Sequence, residues 1–311
     1  MNSSDQQSVT KGKTELLRRI KSDEAGDQLS DRERVHAINY MSFFGYLTAE
    51  LLKNVDYGAV LSQIKKMQKW FGLKVDGVLG PKTFRVLATP RCGCPDIIDK
   101  DNDVHIQYVR MQEVAAANLA KWRKHKLTYY IAQHVSGISK SGQEAILASA
   151  WDAWSDICGI GIQRTRSAAD ADIVIGTGSG VRHKFDGQGG TLAWAYLPNG
   201  QDRQLLMRFD LAETWTTNVQ DRGILLFNVA CHEFGHLLGL QHSRKKRALM
   251  APYYNPGIAR PQADDDIPRA VARYGKPENK TPTDGNDETQ KQYVIRCSNL
   301  EVVGHTLFSN G

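Results

Sequence analysis

Residues 228–243, NVACHEFGHLLGLQHS, constrain this chain more than any other stretch. His232, Glu233, His236, Gly239 and His242 stand there at the spacing H-E-x-x-H-x-x-G-x-x-H. On a helix, His232 and His236 are four residues apart and project from one face. Two imidazoles so placed hold one zinc ion, and the Glu233 carboxylate lies close enough to handle a zinc-bound water. Gly239 lets the backbone leave helical geometry, so that His242 swings back towards the same metal. Three neutral nitrogen ligands leave a fourth position open, which is the arrangement of a catalytic zinc rather than a structural one.

Further along, Ala248-Leu249-Met250-Ala251-Pro252 places a methionine before a tight turn. Met250 after this motif resembles the Met-turn of the metzincin proteases, an apolar floor beneath the zinc site. Upstream, Pro90-Arg91-Cys92-Gly93-Cys94-Pro95-Asp96 resembles the P-R-C-G-x-P-D cysteine switch of the matrixins, the matrix-metalloproteinase branch of the metzincins. A thiolate is a better zinc ligand than water, bonding at ~2.3 Å, so Cys92 in the fourth position would expel the attacking water. Gly93 allows close backbone approach, Pro90 and Pro95 stiffen an extended segment, and Arg91 with Asp96 form a candidate pair. Cys94 is a departure from the family pattern; competition with Cys92 for the metal and a disulfide both stay open.

The resemblance implies an α+β fold: a metzincin catalytic domain with a mixed twisted sheet, a long helix, the zinc-bearing helix and the Met-turn, preceded by a small three-helix prodomain. Residues 1–29 read as a flexible leader. Ser30-Asp31-Arg32-Glu33 is a capping box opening a helix through about Phe44. A second helix begins near Asp56, with Val60, Ile64, Met67 and Phe71 as its apolar stripe and Gly72 as its stop. Pro81 suits the first turn of a third. Residues 36–88, within 30–89, resemble the peptidoglycan-binding-like module of many zymogen prosegments, and glycan contact by it stays an open reading. The switch spans 90–96, an activation linker 97–125, the catalytic domain 126–275, and a polar linker with a short tail 276–311. Within the catalytic domain, Ser141-Gly142-Gln143-Glu144 is read as a capping box opening the long helix, with Trp151 and Trp154 as core.

Phe185-Asp186-Gly187-Gln188-Gly189-Gly190-Thr191-Leu192-Ala193-Trp194-Ala195 resembles the matrixin calcium loop. By that resemblance the carboxylates of Asp186, Asp210 and Glu213, with the carbonyls of Gly187, Gly189 and Thr191, hold structural calcium, which accepts six or more oxygens. A second, structural zinc of the family is expected to be absent: His183 matches one position, but Phe185 stands in place of an Asp, and Trp194 and Arg208 replace two histidines. Leu192, Ala193 and Trp194 are expected on the edge strand above the cleft, where an extended peptide adds by backbone hydrogen bonds. Pro252, Tyr254 and Asn228 are expected around the pocket for the residue after the scissile bond.

The formal charge of +6 is dispersed apart from Arg244-Lys245-Lys246-Arg247, read as a solvated loop rather than a nucleic-acid contact. No apolar run reaches the ~18 residues of a membrane span. No signal peptide is visible, although the resemblance implies an extracellular protein; five cysteines leave the compartment open. The function expected is a zinc-dependent endopeptidase made as a latent zymogen, acting on protein or peptide substrates after an activating protease cuts the linker. Glu233 is its general base. A zinc-dependent cell-wall hydrolase anchored by a glycan-binding module is the alternative, and a decayed, purely binding relative is disfavoured by the intact His232, Glu233, His236 and His242. Metal analysis of the mature domain should return one zinc; a stoichiometric second would refute the loss of the structural site.

Overall fold

The computed structural model of the chain describes residues 3–21, 29–97, 121–180, 185–198 and 200–277. No helix among them is long and apolar enough to cross a membrane. The N-terminal part is helical: α1 (Ser3–Lys21), α2 (Asp31–Phe43), α3 (Ala49–Lys53), α4 (Tyr57–Trp70) and α5 (Pro81–Leu87). The Ser30 capping box is formed: Ser30 accepts from the Glu33 N–H while the Glu33 carboxylate accepts from the Ser30 N–H at 2.7 Å. Asp56 caps α4, whose stripe residues Val60, Ile64 and Met67 are buried. Gln68, also buried, donates to Asp76 and the Val78 carbonyl and accepts from the Gly77 N–H, which fixes the turn into α5.

Two features differ from expectation. The leader is helical over Ser3–Lys21 rather than flexible, with Leu16 fully buried, Val9 and Leu17 against the same core, and Lys53 paired to Asp5 at 3.1 Å. Its apolar residues are too few to mark a stripe; a surface built by α2 and α3 is what gives them somewhere to pack. The helix α3, capped by Thr48, is too short at five residues to leave a periodic signal.

The second part supplies β2 (Lys126–Ile131), α6 (Lys140–Ser155), β3 (Gly161–Arg164), β4 (Ile173–Gly178), β5 (Thr191–Ala195), β6 (Leu205–Asp210), β7 (Trp215–Thr216), β8 (Ile224–Leu225), α7 (Leu226–Leu237) and α8 (Asp266–Tyr274). With β1 (Arg91–Cys92) from the switch, the main sheet runs β1-β5-β6-β4-β2-β3. Only the β5–β6 pair is antiparallel, so the sheet is mixed and the α+β expectation holds. The capping box expected at Ser141 is not the one used. Ser139 caps α6 by accepting from the Gly142 N–H, Glu144 pairs with Arg164 at 2.6 Å, and the Gln143 side chain clamps the preceding loop through Val135 and Ile138.

Both tryptophans of α6 brace α7. Trp151 stacks on Phe234 with centroids 3.6 Å apart and planes at 7°, and Trp154 donates its indole N–H to the Cys231 carbonyl at 2.8 Å. Trp122 does the same to Leu237 at the helix's C-terminal end, satisfying a carbonyl that the last turn leaves free. Trp122 and the Lys121–Arg273 contact tie residues before 126 to the catalytic domain, which therefore starts about at 121. Every residue of α7 except Phe227 is buried, as a helix apolar on all sides requires. Phe234→Ala should cost about 3–5 kcal/mol by leaving a cavity under Trp151; a urea midpoint unchanged from the parent would contradict this packing.

Candidate metal centre

The helix α7 presents His232 and His236 from one face, and Gly239, at φ +88°, turns the chain so that His242 meets them. Each ring is oriented through Nδ1. His232 Nδ1 lies 2.7 Å from the Leu249 carbonyl, His236 Nδ1 lies 2.7 Å from the Leu240 carbonyl, and His242 Nδ1 lies 2.9 Å from an Asp96 carboxylate oxygen. All three partners are acceptors, so each Nδ1 carries a proton and each Nε2 is the atom left to face the common point. Burial first, then its two neighbouring imidazoles, hold His232 well below the usual range, and burial holds His242 down to about 4. Both are held neutral, as metal ligation requires; His236, against its burial, is pushed up to about 9 by the Cys94 sulfur and the Glu233 carboxylate beside it.

The donor atoms of Cys92, His232, His236 and His242 all lie within 4.8 Å of one another, and all four residues are buried. Cys92 Sγ is 3.4 Å from His236 Nε2. A tetrahedral zinc with bonds of about 2.0 Å to nitrogen and 2.3 Å to sulfur sets that edge at roughly 3.5 Å. His232 Nε2, His242 Nε2 and both Glu233 carboxylate oxygens are buried with no hydrogen-bond partner, a cost that a cation and its water would relieve. The residues fit zinc. Burial is the main cause that pushes the Glu233 carboxyl up, to about 8.

Met250 is fully buried beneath the site, and its sulfur would lie 2.3 Å from a Cβ at Gly235. Gly235 is thus a requirement of the H-E-x-x-H segment that the motif itself leaves unspecified. Asp266 orients the Met-turn by accepting from the N–H groups of Leu249 and Met250 at 2.7 and 3.1 Å.

The switch lies as a strand in the cleft. On one side Arg91 N–H donates to Gly190 and Gly93 N–H to Ala193; on the other Cys92 N–H donates to Pro252 and Tyr254 N–H to Pro90. Thus β5 is not a free edge: β1 pairs with it in parallel. Gly93 is obligatory, because a Cβ there would stand 2.5 Å from the Thr191 methyl. Arg91 and Asp96 form the expected pair, at 2.6 and 3.0 Å, with side chains 2% and 0% exposed. The guanidinium lies 3.5 Å over the Phe44 ring and reaches the Tyr40 hydroxyl, while Tyr46 donates to Asp96 at 3.0 Å. Tyr253, unflagged in the sequence, inserts into the prodomain core against Phe71 and shares a hydrogen bond with Tyr40.

Beside the metal ligands, Leu192, Asn228, Pro252 and Tyr254 line one pocket together with His232 and Glu233. Asn228 closes it by donating its amide to the carbonyls of Asn255, Pro256 and Ile258, and Tyr254 accepts from Leu225 N–H. Ala193 contributes backbone. Trp194 does not join this pocket; it packs with Phe185, Tyr196 and Cys94, whose thiol donates to the Ala195 carbonyl at 3.2 Å. Arg208 donates to the Val174 and Met207 carbonyls. His183 and Cys297 lie outside the described residues, as do most of the activation linker and nearly all of the tail.

Residues 121–275 match the matrixin peptidase model, and residues 35–87 match that of the peptidoglycan binding domain. The chain belongs to the matrixins. This matrixin is 36% identical to macrophage metalloelastase of Rattus norvegicus over 69% of its own length and 44% of the relative's. It is 37% identical to matrix metalloproteinase-20 of Homo sapiens (70% and 42%) and 34% identical to interstitial collagenase of Bos taurus (72% and 45%). It thus spans less than half the length of these relatives.

The acids of the candidate calcium loop are arranged around its backbone. Asp186 accepts from Thr191 N–H at 2.7 Å, Glu213 from Gly189 N–H at 2.7 Å and Asp210 from Ala212 N–H at 2.9 Å. The second oxygen of Asp210 is buried without a partner, and burial, reinforced by Asp186, pushes its carboxyl up. The same causes, with Asp210 added, raise Glu213. The basic run Arg244–Arg247 is exposed, with Arg244 resting 5.1 Å over the Trp70 ring. Arg91→Ala should cost ~3–5 kcal/mol by leaving the Asp96 charge buried alone. It should speed alkylation of the buried Cys92 and Cys94 thiols on the order of a hundredfold, read by mass spectrometry; parental rates would show that the pair does not hold the switch.

Proposed function

We propose that this matrixin is a zinc-dependent endopeptidase held latent by its own switch segment, cutting extended protein substrates once that segment is removed. One observation carries the reading. The Cys92 sulfur and the three imidazole nitrogens surround one point, while the switch backbone uses the hydrogen bonds of β5 and of Pro252–Tyr254. The same N–H and C=O groups suit an extended peptide, and the pocket behind His232 suits the side chain after the scissile bond.

A zinc held by His232, His236 and His242 would supply Lewis acidity to polarise a scissile carbonyl and to acidify water. Glu233 then takes the proton from the attacking water and delivers it to the departing amine. Its burial and the absence of a competing hydrogen-bond donor leave both oxygens available for that transfer. Leu249 and Leu240 carbonyls keep the His232 and His236 lone pairs aimed at the metal throughout. Asp186, Asp210 and Glu213 would take a structural calcium ion that braces the loop leading into β5. A single zinc is the expected complement, because Phe185, Trp194 and Arg208 are not ligands. Activation follows from proteolysis in the linker, which frees the cleft.

Relatives bearing the names metalloelastase and collagenase direct the substrate search to extracellular matrix proteins. The peptidoglycan-binding match favours a second reading, a cell-wall hydrolase anchored through residues 35–87. Glu233→Ala in the processed protein should lower peptide turnover by at least ~10³-fold while zinc stays bound, as expected for loss of a general base that also orients the attacking water. Loss of the metal would make Glu233 structural instead. A peptide library with a chelator control, run beside a peptidoglycan pull-down, separates the two readings.

A further inference from the structure

The three zinc-site histidines do not draw their Nδ1 partners from the same part of the chain. His232 and His236 are oriented by carbonyls of the catalytic domain, Leu249 and Leu240, which stay in place whatever the prosegment does. His242 is oriented by Asp96, a residue of the switch. That carboxylate is fully buried and has four donors around it: His242 Nδ1 at 2.9 Å and Arg91 at 2.6 Å on one oxygen, Arg91 at 3.0 Å and Tyr46 at 3.0 Å on the other. A carboxylate on the far nitrogen of a metal-bound imidazole fixes the ring and raises its basicity, and losing such a partner costs 10–100-fold in metal affinity.

We infer that Asp96 is a positioning residue for the metal: the prosegment supplies half of His242's binding geometry as well as the Cys92 thiol, so the latent chain is the zinc-retaining form. Removing the prosegment opens the fourth position and, in the same event, strips His242 of its anionic partner. The inference rests on the zinc reading above. It differs from the known purpose of a switch, because it concerns how tightly the three histidines hold the ion, not whether water reaches it.

The test removes the thiols first, so that effects transmitted through Cys92 are gone. In full-length chain carrying Cys92→Ser and Cys94→Ser, zinc affinity is measured by competition with a chromophoric chelator. The same is done after adding Asp96→Asn, which keeps the shape and removes the charge, or Tyr46→Phe, which removes the hydrogen bond to the other oxygen. Asp96→Asn should weaken zinc about 10–100-fold and Tyr46→Phe by less than about threefold. Equal affinities for the Asp96→Asn chain and its parent overturn the proposal; a parent that binds no zinc overturns the underlying zinc reading instead. Should Asp96→Asn unfold by circular dichroism, because Arg91 is left buried alone, the comparison moves to Arg91→Met against Arg91→Met with Asp96→Asn. There no charge is stranded on Arg91, and the same fold-loss is expected, with equal affinity again the overturning result.

Discussion

A buried imidazole has two ring nitrogens to satisfy, and the site follows from how this chain satisfies one and leaves the other. Each Nδ1 is committed to an oxygen, so each Nε2 is aimed at a common point with the Cys92 sulfur, that of His236 touching it at 3.4 Å and those of His232 and His242 without a partner among the described residues. Burying that many unanswered donors would be costly for a chain with no cation to bind. The rest of the catalytic domain serves their placement: Trp151, Trp154 and Trp122 brace α7, Met250 packs under Gly235, and Asp266 holds the turn that carries Met250.

The prosegment meets this site through one buried ion pair wrapped in aromatic rings. Arg91 is far from water, so its charge is answered by Asp96, by the Phe44 face and by the Tyr40 hydroxyl. Pairs of this kind contribute little net stability, but removing one member strands the other. Tyr253 couples this pair to the cleft wall, so the helical prodomain and the catalytic domain share a single packed boundary there.

Departures from the family pattern are also physical. Phe185, Trp194 and Tyr196 pack as an apolar cluster beside the switch. Cys94 packs into that cluster while its thiol donates to Ala195. In the free cysteine state seen here it is a core side chain whose sulfur lies near the metal ligands.

Much of this was legible along the chain. The gathering of Cys92, His232, His236 and His242 and the mixed α+β architecture are local matters: they need particular residue types at particular spacings, and helix periodicity converts spacing into a shared face. The Ser30 cap and the α4 stripe were legible for the same reason. What no local pattern carried was partnership across distance. The helix of residues 3–21 has too few apolar residues to declare itself before α2 and α3 give it a surface. Ser139, not Ser141, caps α6, and Gln143 clamps the loop at Val135 eight residues away. Asp266 found two N–H groups sixteen and seventeen residues away, and Asp96 found His242 at a separation of 146 residues. The sequence by itself determined which atoms can bind a metal and which thiol can cover it. The tertiary structure alone decided what stands behind each ligand, because a hydrogen bond's strength depends on burial and geometry that only packing creates.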